Sequence, residues 1–168
     1  PESCDFTNVY EASGSAVIKA SKALDGKALG DGEFEFELRD DDGNVISTAR
    51  NDENGNIEFA PIEYTLKDVG THGYTVREIP GDELGISYDE KVADVSVDVS
   101  DNGDGTLLVD ASYGGEKDGT ISFHNSYTPP TAEDVMSDLV QTGIEAMPYI
   151  TAAAICAIPA IVRRRKRR

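Results

Sequence analysis

The chain has 168 residues and carries 32 acidic side chains against 15 basic ones, a formal net charge of −17. Six of the bases are the last six residues, 163–168, which leaves 9 bases against 31 acids over residues 1–142. A body this acidic repels phosphate backbones and excludes nucleic acid as a partner. No CxxC pair or Cys/His cluster can be assembled from Cys4, Cys156, His72 and His124, so no metal site and no cofactor is expected. Sixteen Gly and no Trp suit a turn-rich β domain.

In chain order, the first motif is Phe6-Thr7-Asn8-Val9-Tyr10. The same FxNxY pattern returns as Phe123-His124-Asn125-Ser126-Tyr127, 117 residues later and about one domain length away. Residues 1–11 are therefore expected to be the last strand of a preceding repeat, ahead of a domain over 12–128. Within that domain, period-two alternation marks strands at 16–24, 33–39, 74–78, 93–99, 107–111 and 121–127. Asp41-Asp42-Gly43-Asn44, Glu53-Asn54-Gly55-Asn56 and Asn102-Gly103-Asp104-Gly105 supply turns between them. The acidic clusters at 40–42 and 101–104 lack the spacing of an EF-hand loop and read as turns rather than calcium sites. Short strands with polar outer faces predict an all-β fold, an antiparallel sandwich.

Three of these strands carry a polar residue on the inward register. Ala16, Ile18 and Ala20 are followed by Lys22; Tyr74 and Val76 by Glu78; Ile121 and Phe123 by Asn125. Lys19 has the opposite parity and faces outward with Val17 and Ser21, as does His124. An isolated buried ion is strongly unfavourable, so such groups must pair, neutralise or react. Burial disfavours the ammonium form of Lys22, and a neutral amine is a nucleophile. The Asn125 carboxamide is an electrophile with ammonia as leaving group. A protonated Glu78 can polarise its carbonyl and shuttle protons. Held in contact, the three could form a Lys22–Asn125 isopeptide bond once, without a cofactor. The bland alternative is a buried salt bridge with an Asn hydrogen bond.

Residues 15–127 resemble the isopeptide-linkage domains of Gram-positive pilins, relatives of the collagen-adhesin B-type modules. The similarity is carried by Lys22-Ala23-Leu24-Asp25-Gly26 ahead of Gly32-Glu33-Phe34-Glu35-Phe36, by residues 74–78 followed by Pro80, Gly81, Gly85 and Tyr88, and by the FHNSY strand. The resemblance implies an Ig-like, collagen-adhesin B-type sandwich. It implies Lys22, Glu78 and Asn125 as the bond-forming triad, and Asn8 as the reactive Asn of the preceding repeat.

Thr128-Pro129-Pro130-Thr131 is a stiff spacer, and residues 129–138 are expected to form an acidic, partly helical linker. Next comes Leu139-Val140-Gln141-Thr142-Gly143, and then an apolar run over 143–162 whose only charge is Glu145. Twenty helical residues span about 30 Å, a bilayer's hydrocarbon thickness, and the basic tail would stay cytoplasmic. The order over 139–168, pentapeptide, apolar segment and basic tail, resembles the cell-wall sorting signal LPxTG, with Val140 where Pro is usual. That resemblance implies a sortase cutting between Thr142 and Gly143, with Leu139 as its side-chain anchor, and a membrane association confined to the precursor tail. The plain alternative is a transmembrane anchor.

The expected function is a non-enzymatic stalk domain of a secreted, peptidoglycan-anchored surface protein or pilin, joined to the wall or to another pilin subunit. The alternative is an adhesin module binding host surface proteins. Loops rich in Asp, Gly and Asn favour the stalk, and Lys117 is a candidate for polymerisation.

Overall fold

The computed structural model describes residues 9–115 and 119–141. The strands are β1 (Ser13–Ala16), β2 (Lys19–Asp25), β3 (Glu35–Asp40), β4 (Val45–Arg50), β5 (Asn56–Glu58), β6 (Ile62–Thr65), β7 (Gly70–Ile79), β8 (Ile86–Ser87), β9 (Val92–Asp101), β10 (Leu107–Tyr113) and β11 (Ile121–Tyr127). A short 3-10 turn covers Leu66–Asp68, and one α-helix, α1 (Ala132–Gln141), follows the last strand. The strands form three sheets, in the orders β10-β9-β7-β3-β4, β5-β2-β11-β8 and β1-β6.

The described residues divide into two compact units: residues up to Gly81 together with 87–127, and Asp82–Ile86 together with the chain from Thr128. In the first unit the two larger sheets face one another. Phe36 of β3 meets Phe123 of β11 with ring centroids 5.1 Å apart. Ile18, Leu38, Ile57, Phe59, Val76, Val95 and Val97 are among the other buried side chains. Burying each such side chain stabilises the fold by about 1.5–3 kcal/mol. The alternation seen in the sequence is this arrangement: inward residues of β7 and β9 are buried, and their neighbours are mostly exposed.

Two features depart from the sequence expectation. The strand expected over 16–24 is two strands, because β1 pairs with β6 in the small sheet while β2 joins a larger one. And β2 pairs with β11 in parallel, Ile121 opposite Ala20 and Asn125 opposite Leu24, rather than antiparallel. Parallel neighbours cannot be joined by a hairpin. Here nearly the whole domain forms the connection, so the first and last long strands lie side by side.

The turn between β4 and β5 carries the chain from one large sheet to the other. Asp52 Oδ1 accepts from the N–H groups of Asn54 and Asn56. Gly55 adopts φ +83°, and its carbonyl accepts from Lys22 N–H at 2.7 Å. A Cβ at this position would stand 2.1 Å from the Lys22 carbonyl oxygen, so only glycine lets the turn close on β2.

Tyr64 and Tyr74 share a buried hydroxyl–hydroxyl hydrogen bond of 2.9 Å. Burial, followed by that bond, pushes the Tyr64 phenol far above its usual pKa and keeps it neutral. Tyr64→Phe should lower stability by about 1–2 kcal/mol, since the Tyr74 hydroxyl loses its partner. Chemical denaturation would read this, and an unchanged midpoint would mean that the bond contributes nothing.

In the second unit, α1 begins with a reciprocal cap. Thr131 N–H donates to Asp134 Oδ2 at 2.7 Å, and Asp134 N–H donates to Thr131 Oγ1 at 3.3 Å. The helix takes in most of the expected linker and runs on through Leu139, Val140 and Gln141. Among the described residues no helix is long and apolar enough to cross a membrane. The expected apolar helix and basic tail over 143–168, and Cys156 with them, lie outside the described residues, as do residues 1–8.

Candidate functional site: a buried Lys, Glu and Asn

Lys22 on β2, Asn125 on β11 and Glu78 on β7 converge between the two large sheets. The parallel register sets Lys22 opposite Phe123, with Asn125 two residues further along the neighbouring strand, so both side chains leave the same face. Glu78 comes from the opposing sheet, where it sits opposite Phe36. Lys22 and Glu78 are each 4% exposed, and Asn125 is 0% exposed.

Glu78 bridges the other two. Lys22 Nζ donates to Glu78 Oε2 at 2.7 Å, and Asn125 Nδ2 donates to Glu78 Oε1 at 2.6 Å. The remaining amide atom, Asn125 Oδ1, accepts from the backbone N–H of Asp89 at 2.7 Å. Among the described residues, no buried side-chain nitrogen or oxygen lacks a hydrogen-bond partner. Each polar atom of the constellation thus has a partner, the condition under which buried polar groups are tolerated.

The walls are aromatic. Lys22 Nζ lies 4.7 Å from the centroid of Phe34 and 5.7 Å from that of Phe36. Those π faces attract an ammonium, but the apolar surroundings disfavour any charge. Burial wins: it pushes the Lys22 amine below its ordinary pKa, against the opposing pull of Glu78 and then of Asp89. A proton passing along the 2.7 Å bond from Nζ to Oε2 would leave a neutral amine beside a primary carboxamide.

All three residues singled out by register therefore meet in one site. Lys19 is on the outward face, paired with Glu58 at 2.7 Å across exposed surface. His124 is also outward, with Nε2 3.0 Å from Asp25 Oδ2. Leu139, Val140 and Gln141 are the last three residues of α1. Thr142, Gly143, Asn8 and Lys117 lie outside the described residues.

Two functional or structural residues escaped the sequence reading. Asp89 reaches the site through its main chain, for which alternation gives no signal. Glu37, expected on the charged outer face, is 5% exposed. It is covered by Arg39, whose Nε donates at 2.7 Å, and by Arg77, its cross-strand neighbour on β7. The Arg39 hydrogen bond, joined by that of Arg77, holds its carboxyl below the usual range against the effect of burial.

A family model described as the FctA, Spy0128-like isopeptide-containing domain matches residues 18–128, which include Lys22, Glu78 and Asn125. Among solved structures, the chain is similar to the T-13 major pilin of Streptococcus pyogenes, at 19% identity and a TM-score of 0.48, over 72% of this chain and 55% of that one. It is also similar to a mutant of the major pilin from Streptococcus pyogenes, at 18% identity and a TM-score of 0.42, over 67% of this chain and 50% of the other. The chain thus spans about half the length of these pilins. No curated protein matches the sequence.

Proposed function

This chain belongs to the FctA family of Spy0128-like isopeptide-containing domains, and from that membership we propose that it is a load-bearing stalk domain of a wall-anchored surface protein or pilin, braced by a Lys22–Asn125 isopeptide bond. The observation that carries the proposal is the bridging of Lys22 Nζ and Asn125 Nδ2 by one buried carboxylate, at 2.7 and 2.6 Å. The sandwich over 12–128 is of the Ig-like, collagen-adhesin B type. Residues 1–11, with Asn8, end a preceding repeat of the same kind. Residues 129–138, largely the helix α1, lead to the sorting signal over 139–168.

The chemistry needs only what the site holds. Lys22 passes a proton to Glu78 Oε2 and becomes a neutral amine. Its Nζ attacks Asn125 Cγ, forming the new C–N bond. The Cγ–Nδ2 bond then breaks: Nδ2 takes the first proton from Glu78 and leaves as ammonia, and Glu78 receives the second proton that Nζ sheds on becoming an amide. One amide replaces another, so neither oxidant nor cofactor is required. Fixed contact supplies the rate, because a preoriented intramolecular pair can reach effective molarities of about 10⁵–10⁸ M.

Attachment follows from the order of segments after the sandwich. A sortase cuts between Thr142 and Gly143 and joins the Thr142 carbonyl to an amine of the wall peptidoglycan or of another pilin subunit. The mature protein is then held at the cell surface, with its apolar segment and basic tail removed.

Tandem mass spectrometry of a protease digest tests the bond. It should return one branched peptide joined through Lys22 and Asn125, with no cleavage after Lys22. Recovery of both residues only on separate, unlinked peptides from folded protein would refute the linkage.

A further inference from the structure

One backbone amide stands where the linkage reaction would build charge. Asp89 lies in the loop between β8 and β9, and its N–H donates to Asn125 Oδ1 at 2.7 Å. The carboxylate of the same residue fastens the loop on both sides. Its Oδ2 accepts from His124 N–H on β11 at 2.9 Å, and its Oδ1 accepts from Lys91 N–H at 2.9 Å. One residue thus grips the carbonyl of Asn125 with its amide and the main chain just before Asn125 with its side chain.

We propose that Asp89 is a further catalytic residue of the linkage, its backbone N–H serving as the oxyanion donor and its carboxylate holding that N–H in place. The inference rests on the isopeptide chemistry proposed above. When Lys22 Nζ bonds to Asn125 Cγ, the carbonyl electron pair moves onto Oδ1. The negative charge stays there until it re-forms the C=O bond, Cγ–Nδ2 breaks, ammonia departs with the proton from Glu78, and Glu78 takes up the second proton from Nζ. A donor aimed at Oδ1 binds that oxyanion more strongly than it binds the neutral carbonyl, which lowers the barrier rather than the ground state alone. The two oxygens of Glu78 are already engaged with Nζ and Nδ2. The carbonyl-polarising role expected of Glu78 therefore passes to Asp89.

The anchor is ionised at neutral pH. Burial raises the Asp89 pKa, but the hydrogen bonds from His124 and Lys91, with the charges of Lys22 and Lys91, outweigh it and hold the carboxyl below its usual range. The ionised form offers both oxygens as strong, acceptor-only groups.

The test follows linkage in the full chain by intact mass, sampled into denaturant at intervals after a short pulse of synthesis. Loss of a complete oxyanion donor costs a reaction about 10²–10³ in rate. Asp89→Ala keeps the N–H but frees it from its anchor, so a slowing of about tenfold or more is expected. Asp89→Asn keeps one acceptor oxygen and should fall between Ala and wild type, a rescue that a merely structural side chain would not grade in this way. Asp89→Ala that folds and links at the wild-type rate overturns the inference. Should the alanine variant fail to fold, Asp89→Asn decides: slowed linkage in a folded protein supports it, and wild-type rate overturns it. Wild-type protein that never loses ammonia would instead refute the isopeptide chemistry itself, an outcome separable from both.

Discussion

Glu78→Ala should give a folded sandwich that keeps its ammonia and melts well below the wild type. The apolar faces that assemble the sheets are untouched, while the carboxylate hydrogen-bonded to Lys22 Nζ is gone. The proposed linkage would close a loop of about 100 residues; by analogy with a disulfide, the lost constraint on the unfolded chain is worth roughly 4–5 kcal/mol. The alanine variant also leaves the Lys22 amine without its carboxylate, and breaking a buried pair in this way costs about 3–5 kcal/mol when the remaining group stays charged. Because burial already pushes the Lys22 amine toward its neutral form, the second penalty is the smaller one. Glu78→Gln separates the two effects. It preserves side-chain shape but cannot take up the proton, so it should also remain unlinked while melting above Glu78→Ala. Calorimetry with intact mass on both variants checks this. Linkage at an unchanged rate in Glu78→Ala would remove Glu78 from the mechanism.

Thr142→Ala should shift the protein from the wall to the membrane. The wild type, in a Gram-positive host with the matching sortase, is expected to end at Thr142, attached through its carbonyl to a wall or pilin amine. Everything from Gly143 onward should be missing from the mature product. The variant lacks the side chain that completes the proposed sorting pentapeptide, so its apolar segment should persist and hold the chain in the detergent-extractable fraction. This effect is all-or-none. Wild-type protein that is itself extracted by detergent with residues 163–168 intact would identify the segment as an ordinary transmembrane anchor.

Much of the site was legible because a strand repeats every two residues. Parity alone placed Lys22 with Ile18 and Ala20, Glu78 with Tyr74 and Val76, and Asn125 with Ile121 and Phe123. Periodicity assigns faces, however, and not partners. It could not show that β2 and β11 run parallel, although that pairing puts Lys22 and Asn125 on adjacent strands. Glu37 was misjudged for the same reason: its outward parity is correct, but Arg77 covers it from a strand 40 residues away. Asp89 carried no pattern at all, since its contact with Asn125 is made by a main-chain amide that every residue but proline possesses. The start of α1 could have been read from the Thr131 and Asp134 pair, spaced as a capping box directly after two prolines.

The most direct test of the braced-stalk proposal is the intact mass of the purified domain under denaturing conditions. The expected value is the sequence mass less one ammonia in the wild type, and the full sequence mass less only the substituted atoms in Glu78→Ala. A full sequence mass in well-folded wild-type protein would mean that Lys22, Glu78 and Asn125 form a buried salt bridge and a hydrogen bond, with no covalent link between the strands.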